Sequence, residues 1–380
     1  MSFHPACRRA TKRNSIAWLL LIVAMLVCTV ARPAHAQRNR GRGGNGRLPG
    51  ALSNIPRAQL GAFDRLLDDV IDYLTKKYPT ASVDPGNFFG KVVLRNPPDD
   101  AVDATPPIPG QFGYYVLGGL SNDHRRQLLL LTNEQMPMVL EFQGKFKQFF
   151  AKFEELKAQA RPTRAMELEL QKIGEELGEL EVRMGLAQAR TFAKIRETMT
   201  DDQVEYQLLL RRTPDSGSLE NPSVVRVREA TSRMPDEQVT LLLAFAERCC
   251  LYLTGAASQN VPTLSAKQLT DPDSKEAERK QGFLQTLNPP QLQGLANMLS
   301  AQLRLQADAT AKRLAIAMQL DMLKTAKRLD ERKLPAAGGM MGKADAALMA
   351  AKLEGLSSLQ SNLSAAQKAF ITSNILVGAP

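Results

Sequence analysis

The sequence predicts an all-α chain made of long antiparallel helical hairpins, in two divergent copies joined by a helical connector. Three observations carry that class. Apolar residues recur at alternating steps of three and four over long stretches, a short cap motif returns four times, and Pro- or Gly-rich breaks separate the stretches. Composition agrees: 380 residues with 44 % apolar, 6 % aromatic, 22 Pro and 25 Gly exclude a collagen-like, disulfide-knotted or wholly disordered chain.

Taken in order, Arg8, Arg9, Lys12 and Arg13 precede an apolar run from Ile16 to Val30, and Ala34-His35-Ala36 ends it with small residues. Residues 1–36 therefore have the layout of a secretory signal peptide cut before Gln37, and the short run argues against an uncleaved anchor. The chain is expected to be exported, to the periplasm or cell envelope, with no transmembrane segment after signal removal. Val27 stands where a lipoprotein signal wants a small residue before Cys28, which argues against lipidation.

Residues 37–50 follow as an Arg/Gly-rich flexible leader. Signal removal deletes five basic and no acidic residues, taking the formal charge from +10 to +5. Arg38, Arg40, Arg42 and Arg47 supply four of those five charges, so the body carries about +1. No specific nucleic-acid partner is expected from such a body.

The remaining residues 51–119 read as one helix plus a Pro-rich irregular segment. Leu60, Phe63, Leu66, Leu67, Val70, Ile71 and Leu74 have helical spacing within 55–77. Pro79 to Gly119 holds Pro85, Pro97, Pro98, Pro106, Pro107 and Pro109, which predicts a long irregular connection with a short strand at Lys91 to Leu94. Residues 120–212 form the first helical hairpin unit, whose seams are Val139, Phe142, Phe146, Phe149, Phe153 and Leu156, then, past Pro162, Met166, Leu170, Ile173, Leu177, Leu180, Met184 and Ala187.

A connector over 213–282 opens a short helix at Asn221-Pro222 and an apolar one from Met234 to Leu253. It offers a weaker cap at Leu264 to Gln268 and a break at Asp271-Pro272-Asp273. Residues 283–380 form the second hairpin unit, with its break at Leu334 to Gly342.

The cap motif reads apolar, cap residue, two variable residues, Gln. Its copies are Leu131-Thr132-x-x-Gln135, Met199-Thr200-x-x-Gln203, Leu287-Asn288-x-x-Gln291 and Leu363-Ser364-x-x-Gln367. A capping box needs this pairing, because the cap oxygen accepts from the amide three residues on while Gln reaches back to the cap amide. The intervals from 131 to 199 and from 287 to 363 are 68 and 76 residues, close enough to read as two copies of one unit.

A secreted helical hairpin bounded by paired L-T-x-x-Q motifs resembles the Spy/CpxP family of periplasmic chaperones and envelope-stress proteins, over about 120–212 and more weakly over 283–376. Met199 departs from the family's Leu, and Asn288 and Ser364 from its Thr. The resemblance implies a non-enzymatic, ATP-independent chaperone-like binding protein whose partners are unfolded or partner proteins. Lys147, Phe149, Phe150, Arg183 and Arg190 are the candidate client surface, apolar groups ringed by cations. The alternative is a structural or scaffolding helical protein of the envelope that self-associates or binds partner helices.

No catalytic, cofactor-binding or metal-ligating residues are assigned. Outside 1–36 the chain has one histidine, His124, too few for a His-bearing zinc site. It lacks a G-x-S-x-G neighbour and reads as a solvated helix-start residue. The adjacent Cys249-Cys250 sit in an apolar helical run, where a disulfide ring between neighbours does not fit, so two buried thiols are expected. Gly338 to Ala344 imitates a P-loop but is one residue short and ends in Ala where a hydroxyl belongs.

Overall fold

The structure, a computed structural model, describes residues 50–75, 88–89, 111–159, 163–212, 222–255, 274–325, 330–371 and 373. Helix accounts for 89 % of them, with no strand among them. The expectations for 1–49, for the strand at Lys91 to Leu94, for the cap at Leu264 to Gln268 and for the break at Asp271 to Asp273 lie outside the described residues.

The helices are α1 (Leu60–Leu74), α2 (Gln111–Gly118), α3 (Asn122–Ala158), α4 (Arg164–Thr198), α5 (Asp201–Arg212), α6 (Pro222–Thr231), α7 (Asp236–Thr254), α8 (Lys275–Thr286), α9 (Pro289–Met322), α10 (Leu334–Ser361) and α11 (Ala365–Phe370). Short 3-10 turns precede α1 at Gly50–Asn54 and Arg57–Gln59, and another precedes α10 at Glu331–Lys333. No described helix is long and apolar enough to cross a membrane.

Side-chain caps start several of the helices, though not α7 or α10. Ser121 accepts from His124 N at α3, Thr163 from Met166 N at α4 and Ser274 from Ala277 N at α8. Each satisfies one of the amide groups that a helix leaves without an internal acceptor.

Helix α3 runs antiparallel to α4, with Lys152 paired to Glu169 at 2.9 Å and Lys145 to Glu176. Helices α9 and α10 are likewise antiparallel, with Met298 against Gly355 near one end and Arg313 against Asp345 nearer the other. The most extensive helix contact among the described residues joins α4 to α10. Here the backbones nearly touch, because Gly174 and Gly178 face Gly342 and Gly338. A Cβ added at Gly342 would lie 2.0 Å from Gly174 O, and one at Gly178 would lie 2.2 Å from Gly338 O. Only glycine permits that approach.

Three apolar clusters line this central pair. One gathers α2, the first turns of α3, the second half of α4 and α7, around Phe192, Phe245 and Tyr252. Another joins Phe89, Phe149, Phe153, Leu170 and Leu177 to Met349 and Leu353 of α10. A third packs Leu52 and α1 on α8, α9 and the end of α10. The two seams read from spacing meet in the interior, where Phe149, Phe153 and Leu156 of α3 and Leu170 and Leu177 of α4 are fully buried. Phe146 lies at the rim and stacks on Phe142, with ring centroids 6.3 Å apart.

Two expectations about breaks are corrected. The irregular connection expected up to Gly119 contains α2, which starts once the prolines stop at Pro109 and buries Val116 and Leu117. The break expected at Leu334 to Gly342 is helix, because its glycines, read as breakers, are held by the packing against α4. Packing of this kind overrides the roughly 1 kcal/mol by which a helical Gly is disfavoured.

Candidate functional site

Three of the four cap motifs stand at helix starts. Thr200 accepts from Gln203 N at 3.3 Å while Gln203 Oε1 accepts from Thr200 N at 3.1 Å, opening α5. Asn288 and Gln291 do the same at α9, and Ser364 and Gln367 at α11. The fourth is a correction. Thr132 and Gln135 are fully buried inside α3, because the Ser121 cap has already started that helix ten residues earlier. Thr132 Oγ1 donates back to Leu128 O at 2.9 Å, and Gln135 Nε2 crosses to Met184 O of α4 at 2.8 Å.

The two C-terminal motifs meet. Gln291 Nε2 donates to Asn362 O at 2.8 Å and to Gln367 Oε1 at 3.1 Å. Gln367 Nε2 donates to Thr286 O at 2.7 Å and to Gln291 Oε1 at 2.8 Å. Each amide oxygen also accepts from its own cap amide at 2.8 Å. Both donors and both acceptor positions of each amide are therefore used, and each Gln reaches the carbonyl two residues before the other's cap. Leu287 and Leu363, which precede the caps, are buried beneath this clasp. Leu131 is buried too, whereas Met199 is only partly so.

Cutting this clasp should matter more than cutting a lone box. Gln367→Ala is expected to lower stability by about 2 kcal/mol, since it removes a box and leaves Gln291 and Thr286 O short of partners. Gln203→Ala should cost about 1 kcal/mol or less. Urea unfolding of the two variants checks the order.

A second polar system, which spacing did not reveal, threads the core around α4. Gln188 Nε2 donates to Gln135 Oε1 at 2.8 Å, and Arg248 Nη1 reaches Gln188 Oε1 at 3.5 Å. Glu181 of α4 faces both Arg248 and Arg313, the latter at 3.7 Å. Arg313 also pairs with Asp345 and donates to Phe88 O at 2.6 Å. Burial alone would depress both guanidinium groups. It prevails at Arg248, whose pKa falls, while at Arg313 the charges of Asp345 and Glu181 outweigh it and the pKa rises. One available signal was Asp345, an acid set in the small-residue run of α10 with Lys343 its nearest charged neighbour.

Acids also gather on α1. Lys280 of α8 reaches Asp64 at 2.9 Å, Asp68 at 2.6 Å and Glu276 at 2.9 Å. Burial works against its charge, but the three carboxylates prevail and push its pKa up to about 12. This network ties α8 to α1.

Of the candidate client surface, Phe149 is corrected to core: it is fully buried, edge-on to Phe89 at 4.9 Å. Phe150 is 41 % exposed and Lys147 is exposed. Arg183 and Arg190 are exposed but paired with Glu179 and Glu331, the second pair tying α4 to the turn before α10.

His124 does start a helix, but it is buried rather than solvated. Its Nε2 lies 2.9 Å from Thr198 Oγ1 at the end of α4, and its Nδ1 has no hydrogen-bond partner. Thr198 can donate its own proton to Lys194 O or Ile195 O, so the bond to the ring suits an Nε2–H imidazole with a bare Nδ1. Burial lowers the His124 pKa below 6.5, against an opposing pull from Asp123. A depressed histidine contributes stability above its unfolded pKa that is lost as pH falls through the folded value. The melting temperature should fall between pH 7 and 5 by more in the wild type than in His124→Asn, and parallel curves would show the ring is not the titrating group.

Cys249 and Cys250 are free, buried thiols, as expected from the apolar run. Burial pushes both pKa values up, Cys250 to about 12 despite Arg211 and its bond with Thr254, so neither is a ready thiolate nucleophile. No family model, curated protein or solved structure matches the chain.

Proposed function

We propose that the chain is an exported, non-enzymatic binding protein similar to the ATP-independent periplasmic chaperones and envelope-stress proteins that its cap motifs resemble. The observation that carries this reading is the outer face of α3. Leu130, Pro137, Leu140, Gly144 and Lys147 lie along one helical stripe and are all exposed, Leu130 and Leu140 at 58 % each. Phe150 stands beside Lys147 one turn on, while Arg126 ends the stripe at the other side. Exposed leucines on a stripe with Arg126 and Lys147 at its ends and exposed Glu134 and Glu141 beside it suit weak, sequence-tolerant capture of unfolded chains, which need apolar contact without deep burial.

Aggregation of a reduced model protein, followed by light scattering with and without ATP, tests the reading. Suppression should be independent of ATP and should be lost in Leu130→Lys/Leu140→Lys while circular dichroism is unchanged. Absence of suppression, with self-association of the chain, would support the scaffold instead.

A further inference from the structure

Helix α9 presents an outer face with little charge for its length. From Pro290 to Met322 the residues at alternating steps of four and three are all exposed, and the charged ones along that stripe are Arg304 and Asp308 alone. A helix face turned to water ordinarily carries charged and polar side chains throughout. Here Gly294, Ala301, Ala311 and Ala315 are small, while Met318 and Met322 hold large apolar side chains in solvent, 46 and 47 % exposed. Beside the stripe Gln293, Ser300 and Ala307 are exposed and uncharged, and Lys312 is held on Asp308 within the helix.

The stripe is its own complement. Its steps read the same in both directions, so a second α9 laid antiparallel can match it residue for residue. Setting Arg304 of one copy against Asp308 of the other brings Ala301 to Ala311, Asn297 to Ala315, Gly294 to Met318 and Pro290 to Met322. Large side chains then fall on short ones, and a Cβ added at Gly294 would meet nothing within 4 Å, which leaves room for the methionine. Sliding the pair by seven residues in either direction would set both charges against alanine or asparagine, and a parallel pair in register would set like charges together. The 34 residues of α9 span about 50 Å at a width of ~10 Å, so the two strips bury on the order of 1,000 Å² in all, the lower end for a specific interface.

We propose that the outer face of α9 pairs antiparallel with the same face of a second copy of this chain, Arg304 of each copy lying against Asp308 of the other. The small residues let the two helices approach, and the paired charges fix direction and register more than affinity. Every contact occurs twice about a two-fold axis, so the pair closes on itself, unlike the open assembly of a scaffold, and it is independent of client capture on α3.

Sedimentation velocity of the full chain tests this by charge exchange. The wild type should show a monomer–dimer equilibrium with a dissociation constant on the order of 10 μM, as suits so small an interface. Arg304→Glu and Asp308→Arg should each weaken it about tenfold or more, because each sets like charges together twice. Mixing the two variants should restore the dimer, since opposite charges then meet at both contacts. Both residues are exposed, so circular dichroism should be unchanged in either variant. A monomer at all concentrations, self-association indifferent to either variant, a mixture that stays monomeric, or assembly beyond a dimer would overturn the proposal.

Discussion

Replacing Gly342 by alanine is expected to cost about 3 kcal/mol or more, the upper range for forcing extra atoms into a packed interior. The added methyl carbon would stand 2.0 Å from Gly174 O and 2.9 Å from Gly178 Cα, and neither is the free end of a side chain that could swing away. The helices would have to separate along the most extensive helix contact among the described residues. Gly178→Ala should behave alike, meeting Gly338 O at 2.2 Å. The same exchange at Gly144 or Gly294, where nothing lies within 4 Å, should instead stabilise by about 0.5–1 kcal/mol, since alanine restricts the unfolded chain and favours helix. Chemical unfolding of the four variants checks both signs. Similar losses at all four positions would mean that the α4–α10 seam does not set stability.

How far the sequence alone reached follows from which forces leave a local trace. Helix class was legible, because stripes such as Phe149, Phe153 and Leu156 repeat with the helical period and because caps are read within four residues. The clasp was half legible. Gln291 and Gln367 announce their own boxes, but their pairing across 76 residues is tertiary and has no local mark. Thr132 and Gln135 show the limit of a motif. Once Ser121 has opened the helix, the same residue types serve another purpose, and Gln135 turns its amide to Met184 O and Gln188.

The glycines of α10 misled for a related reason. In isolation Gly338, Gly339 and Gly342 argue for a chain break, and only the opposing Gly174 and Gly178 of α4 explain their helical state. Phe149 is the converse case. It neighbours the exposed Phe150 in sequence, yet a step of 100° around the helix puts it in the core and Phe150 in solvent. Charged core residues were least legible, since Glu181 and Arg313 look like surface residues of amphipathic helices until α4, α9 and α10 enclose them.

Those core charges give the second large expected effect. Arg313→Met should destabilise by about 3–5 kcal/mol, because it leaves Asp345 and Glu181 buried without the cation that faces both. Phe88 O would lose its donor as well. Asp345→Leu should cost a similar amount by removing the carboxylate nearest Arg313 among the described residues and leaving the more distant Glu181, at 3.7 Å. The double variant Arg313→Met/Asp345→Leu should recover part of the loss, since an apolar pair of similar volume escapes the desolvation that the ion pair suffers. Recovery should be incomplete, because Glu181 would still have lost Arg313. Guanidinium unfolding of the single and double variants gives the coupling directly. Additive losses would show that the two groups contribute independently and that the pair does not hold α9 to α10.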